Sequence, residues 1–185
     1  MYSENNSSKS GTQLSIFGST RIMAASALLA AMSIVLGKFI AVNIGNTFRF
    51  SLENLTVIIA GYFFGPLVGG AVGAGADIVG SLLRGYSINP LITVGAAAVG
   101  ITAGIASRRL FTGNKRLNVA ASVGFAHLIG SVLIKSAALC IAFNAPAVTF
   151  FYRFIIYAVT GVIEGTIIYF LANNKAFSAQ IDRLK

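Results

Sequence analysis

The sequence predicts an all-α integral membrane protein, a compact bundle of six transmembrane helices with both termini in the cytoplasm. Three observations carry this expectation. Hydrophobic residues make up 56% of the 185 and charged residues only 10%, against about 25% charged in a soluble domain. The apolar residues gather into membrane-length runs separated by short polar turns. Most Lys and Arg fall in loops and tails that a six-span count places on one side, as the positive-inside rule requires.

Residues 1–15 are polar, with five Ser, two Asn and Lys9, and read as a disordered cytoplasmic tail. The first apolar run, 22–42, follows Arg21. It is long for the apolar region of a signal peptide and lacks a convincing cleavage site, so it reads as a retained first helix. A polar segment, 43–49, follows. One helix over 55–83 would measure roughly 43 Å at about 1.5 Å per residue, which exceeds a ~30 Å hydrocarbon core. Gly65-Pro66 divides that stretch, because Pro cannot continue the upstream helix cleanly. Helix two is therefore expected over 51–64 and helix three over 67–83. Helix four opens at Asn89-Pro90, with Pro in its first turn, and ends before Arg108-Arg109. Helix five covers 118–143, Asn144-Ala145-Pro146 makes a turn, and helix six covers 149–172 up to Asn173-Asn174. The membrane domain is thus 16–174, and 175–185 form a second cytoplasmic tail.

Charge tests this count. Six spans put Lys9, Arg21, Arg108, Arg109, Lys115, Arg116, Lys175, Arg183 and Lys185 on one side, which the positive-inside rule makes cytoplasmic. Merging helices two and three would send 108–116 and the C-terminus outside. The net charge of +9 would suggest nucleic acid in a soluble protein; here the loop and tail positions explain it, and the expected surroundings are lipid. Cys140 is the sole cysteine, which excludes an internal disulfide and a multi-cysteine metal site. The glycines of 65–80 are not followed by the Gly-Lys-Ser/Thr of a phosphate loop, so the chain has no visible means of hydrolysing ATP. No nucleophile with a base and an orienting group is recognisable either. The reading is a non-catalytic protein without a cofactor.

The informative residues are the charges inside the apolar runs: Asp77, Lys135, Arg153 and Glu164, with Lys38 nearer a helix end. An ionisable group within a span is costly in hydrocarbon and faces a partner, the bundle interior or a wet cavity. Arg49, Arg84, Lys135 and Arg153 fall toward the outer half and outnumber Glu53 and Asp77 there, which suggests a pocket for something anionic. Arginine clamps a carboxylate bidentately, whereas Asp accepts paired N–H donors from an aminated ring. Mutual ion pairing is the plainer alternative, and for Lys38 snorkelling is favoured. Tyr86 has two open readings, stacking on a flat ring or sitting in the interfacial aromatic belt. Asn89 has two as well, capping helix four or meeting a ligand. Asn54, next to Glu53, would turn into the same cavity. His127 and Glu164 are expected as a buried pair in the inner half, hydrogen-bonded for structure or part of a proton route. Ala24, Ala27 and Ala31 on helix one, Gly69, Gly73 and Ala76 on helix three, and Gly95, Ala96 and Gly100 on helix four make small faces for close helix packing.

Four segments together carry a family resemblance: Arg49-Phe-Ser-Leu-Glu-Asn54, the Gly61–Pro66 turn, Gly75-Ala-Asp77-x-x-Gly80 and Tyr86-Ser-Ile-Asn-Pro90. The chain resembles the substrate-binding S component of energy-coupling factor (ECF) transporters, in the folate-specific branch called FolT. The resemblance implies a vitamin captured outside a bacterial cell and delivered inward. It also implies a transmembrane coupling protein and two cytoplasmic ATPases as partners, and toppling of the S component as the transport step. It assigns the Ala27-x-x-x-Ala31 face to the coupling protein and the connection after helix one to a lid. A folate would bring its aminopteridine to Asp77 and its glutamate to Arg49, Arg84 or Arg153. Two alternatives stay open: an S component for another vitamin such as thiamine, and a standalone proton-coupled transporter using Asp77, His127 and Glu164. The basic excess opposes a cationic vitamin, and no internal repeat supports a secondary transporter.

Overall fold

The computed structural model of the protein describes residues 19–44 and 48–184; the side chains of Lys38 and of residues 42–49 are outside that description. The expectations for the tail 1–15, for Lys38 and for the Arg49 side chain therefore lie outside the described residues.

Helix α1, Thr20–Ile34, runs into a π-helical turn, Val35–Phe39. The apolar run predicts a helix continuing to Val42. Instead the chain leaves the helix and forms a hairpin of β1, Val42–Ile44, and β2, Phe48–Phe50, with Val42 opposite Phe50 and Ile44 opposite Phe48. Here Val42, Ile44, Phe48 and Phe50 alternate with Asn43 and Arg49, and that period of two fits a strand rather than a helix or a polar loop.

Helix α2, Glu53–Phe64, meets α3, Pro66–Leu83, at Gly65. Gly65 has φ of 105°, a conformation that side-chain-bearing residues rarely adopt, and Pro66 starts α3 where no intrahelical N–H is needed. Helix α4 is Pro90–Arg109. Helix α5, Lys115–Phe143, contains a π-helical stretch, Ala126–Ile134. Helix α6 is Val148–Asn173. Among the described residues, five helices, α1 with its extension to Gly37 and α3 to α6, are long and apolar enough to cross a bilayer, and α2 is a shorter apolar helix. The chain is a multi-pass membrane protein.

Helices α2, α3 and α4 form the tightest part of the bundle. A Cβ on Gly100 would overlap the Gly69 backbone, and one on Gly73 would overlap the Ala96 carbonyl. The small faces read on helices three and four thus pack inside the bundle, where close backbone approach replaces side-chain interdigitation. Val57, Ile58, Val68 and Val99 fill the adjoining core with Val119, Val123 and Ile168. Ala24, Ala27 and Ala31 behave differently: they are exposed on α1 beside Met23, Leu28 and Met32.

The segment after α6 is not only a tail. Asn174 accepts from the N–H groups of Ala176 and Phe177, capping α7, Lys175–Leu184. Helix α7 is amphipathic; Ile181 is buried, and Phe177 meets Phe63 edge-on at 5.2 Å.

Candidate functional site

The difference in length between α2 and α3 opens the site. Both depart from Gly65, but α3 outruns α2 by six residues, roughly 9 Å at about 1.5 Å per residue. The first turn of α2 therefore stops below the rim that α3 and α4 build. Ser33 Oγ donates to Glu53 O at 2.7 Å and ties α1 to that recessed end. Glu53 and Asp77 are equally far along the chain from Gly65 in opposite directions, so the antiparallel pair brings both carboxylates to a similar depth.

Above them lies a cavity of about 560 Å³. Of the residues singled out from sequence, Glu53, Asp77, Tyr86, Asn89, Lys135 and Arg153 line it. That size lies within the usual range for small-molecule sites. Asn54 is buried below and lines a 20 Å³ pocket that shares Glu53, Asp77 and Lys135 with the larger cavity. Its Nδ2 donates to Ser131 Oγ at 3.2 Å. Arg84 is exposed at the end of α3 and is not part of the lining. Asn89 Oδ1 accepts from the Leu91 N–H at 3.0 Å, so Asn89 caps α4 while also lining the cavity. Tyr86 is 60% exposed at the mouth.

The four charged groups have distinct environments. Lys135 is 6% exposed and its Nζ donates to Glu53 Oε1 at 3.4 Å. Its aliphatic stem crosses α4 at Gly95, where a Cβ would come within 2.6 Å of Lys135 Cγ. Glycine at 95 is thus what lets a buried lysine lie across α4 and reach the cavity. Asp77 Oδ2 accepts from Thr93 Oγ1 at 2.7 Å, which holds its carboxylate toward α4 and leaves lone pairs for other donors. Arg153 Nη2 donates to Ser131 O at 3.2 Å and to Tyr157 OH at 3.0 Å. The guanidinium also lies over the Tyr157 ring, 5.2 Å from its centre. Arg153 has neutral partners only among the described residues, and its buried Nε makes no hydrogen bond.

Sequence reasoning missed Thr93 and Tyr157. Tyr157 follows Arg153 by four residues, one turn of α6, and that spacing was the available signal. It lines the cavity on one side and stacks on His127 on the other, with ring centres 5.0 Å apart and planes at 22°. His127 Nε2 and Glu164 Oε2 are 2.6 Å apart and both residues are buried, so the expected inner pair is present. Among the described residues, no group of three or more His, Cys, Asp or Glu side chains comes together to hold a metal ion.

A family model described as "ECF-type riboflavin transporter, S component" matches residues 17–176. No curated protein matches the chain significantly by sequence. Among solved structures, one described as "Crystal structure of FolT bound with folic acid" aligns with a TM-score of 0.68 and 21% identity, covering 83% of this chain and 93% of that one. At that identity the likeness concerns the fold.

Proposed function

We propose that this chain, which belongs to the S-component family of ECF-type transporters, captures a folate in the cavity between α2, α3, α4, α5 and α6. As an S component it is a substrate-binding subunit and not an enzyme. The family description speaks of riboflavin, and the folic acid is that of the solved structure with the shared fold. The choice between them rests on charge. Arg153 lines the cavity with no carboxylate partner among the described residues, while Asp77 at the same cavity has acceptor capacity left over. An uncompensated cation in a low-dielectric site favours an anionic ligand. Folate offers two carboxylates at one end and an aminated ring at the other; riboflavin has no carboxylate.

In this reading Asp77 accepts the pteridine N–H groups, Arg153 takes a glutamyl carboxylate, and the Glu53–Lys135 pair forms the wall between. Tyr86 and Asn89 edge the mouth, Arg84 adds positive charge near it, and the connection 43–51 acts as part of the lid. The short α2 counts as a sixth span, which puts both termini in the cytoplasm of a bacterial cell. A transmembrane coupling protein meets the exposed Ala27 and Ala31 face of α1, and two ATPases supply the energy that the chain lacks.

Calorimetric titration of the purified chain without ATP tests the ligand. Folic acid is expected to bind, with riboflavin and thiamine at least about tenfold weaker, the discrimination expected where a buried charge loses its partner. Tighter binding of riboflavin or thiamine than of folic acid would overturn the assignment.

A further inference from the structure

A second concavity lies on the other side of Tyr157. It is a groove of about 490 Å³ between the first part of α5 and the second part of α6. Ala120 and Gly124 on α5 and Ala158, Gly161 and Gly165 on α6 line it, so both helices present small residues to the membrane face. Its polar end is Arg116, exposed at the start of α5, whose Nε donates to Tyr169 OH at 3.2 Å and whose guanidinium lies 5.7 Å from that ring's centre. Lys115 is exposed beside it.

We infer that this groove holds one acyl chain of an anionic phospholipid, with the headgroup phosphate at Arg116. Length supports this occupant. From Tyr157 to Tyr169 the groove follows twelve residues of α6, roughly 18 Å at about 1.5 Å per residue. One leaflet of a ~30 Å hydrocarbon core is about 15 Å deep. The groove begins near the end of α6 that carries Tyr169 and stops at Tyr157, well short of the helix's other end. A lipid tail anchored in a single leaflet has that extent, whereas a crossing partner helix would be matched over both leaflets. Charge supports it as well. Arg116 lies where a tail's phosphate would emerge, and its planar donor fork suits phosphate oxygens. Arg108, Arg109 and Lys175 are exposed at the same end of the bundle and add to the field an anionic headgroup meets.

The test is lipid retention by the full-length chain in native mass spectrometry after exchange against phosphatidylglycerol and phosphatidylcholine. The wild type is expected to retain one phosphatidylglycerol at least about fivefold over phosphatidylcholine, the preference one basic residue confers near an anionic headgroup. Arg116→Ala should lower that ratio severalfold, to the residual preference of the neighbouring basic residues. Gly124→Leu should remove retention of both lipids. A Cβ at Gly124 meets nothing within 4 Å, so the variant fills the groove without disturbing the bundle; Ala120→Leu serves as a second filler. Equal retention of both lipids by the wild type would overturn the inference, as would an unchanged ratio in Arg116→Ala. Bound lipid unchanged in both filling variants would overturn it too, and so would a wild-type dimer that those variants convert to monomer, since that would give the groove to a second copy of the chain.

Discussion

Away from their ends, helices α5 and α6 each carry two acidic or basic residues, at two levels that are built in different ways. Lys135 and Arg153 line an open cavity with Glu53 and Asp77, and Arg153 finds only neutral partners among the described residues. On the order of two to three turns away, His127 and Glu164 meet each other at 2.6 Å with both side chains buried. At the cavity, positive charge is left available to something that enters. At the inner pair the imidazole and carboxylate meet each other, and their other polar atoms, His127 Nδ1 and Glu164 Oε1, are buried away from the cavity without hydrogen-bond partners among the described residues. Tyr157 separates the levels, touching Arg153 on one side and His127 on the other. Charge inside a membrane span is thus not one signal but two, and bordering the cavity, rather than burial, distinguishes them.

The largest effect is expected at the inner pair. Truncating Glu164 to Ala leaves His127 Nε2 buried without its partner, at about 1–3 kcal/mol, and adds the cost of the cavity left by the lost side chain. The expected outcome is a markedly lower melting temperature in detergent, with folic acid affinity retained by the protein that remains folded. Replacing both residues by Leu should recover most of the loss. Equal loss of affinity and stability in Glu164→Ala would erase the distinction between the levels.

Gly95→Ala sharpens the cavity side. The added Cβ would press on Lys135 Cγ and approach Gly130 O, with a cost of about 1–3 kcal/mol for overpacking. Because Lys135 must move, ligand affinity should fall along with stability; a melting shift with unchanged affinity would remove Lys135 from the site. A smaller effect is expected for Thr93→Val. It removes the hydroxyl that donates to Asp77, and one hydrogen bond of about 1 kcal/mol corresponds to roughly fivefold weaker binding with near-normal stability. Titration of this variant with folic acid reads that change directly.

Much of this arrangement was legible in the residues. The apolar runs and the Gly65-Pro66 break located α2 to α6 to within a few residues, because backbone satisfaction in lipid permits little except helix. Asp77, Lys135 and Arg153 stood out because charge in a span demands a reason. The hairpin at 42–50 did not stand out: its polar residues suggested a loop, although apolar residues alternated through it. Helix α7 was hidden by Asn173-Asn174, which read as an end while Asn174 was also capping the next helix. Thr93 and Tyr157 bear no charge, so nothing but their position in space connects them to Asp77 and Arg153. Asn54 was drawn toward the cavity by its neighbour Glu53, yet the helix turns it down to Ser131.

The central claim, that the cavity's uncompensated arginine reads a carboxylate, is tested most directly by a two-by-two titration. Wild type and Arg153→Ala are each titrated with folic acid and with its diamide, in which both glutamyl carboxylates are replaced by neutral primary amides. A hydrogen bond to a charged group contributes about 1.5–3 kcal/mol, so the wild type should prefer folic acid by roughly ten- to a hundredfold, and the variant's preference should collapse toward one. The same preference for folic acid in both proteins would contradict the account.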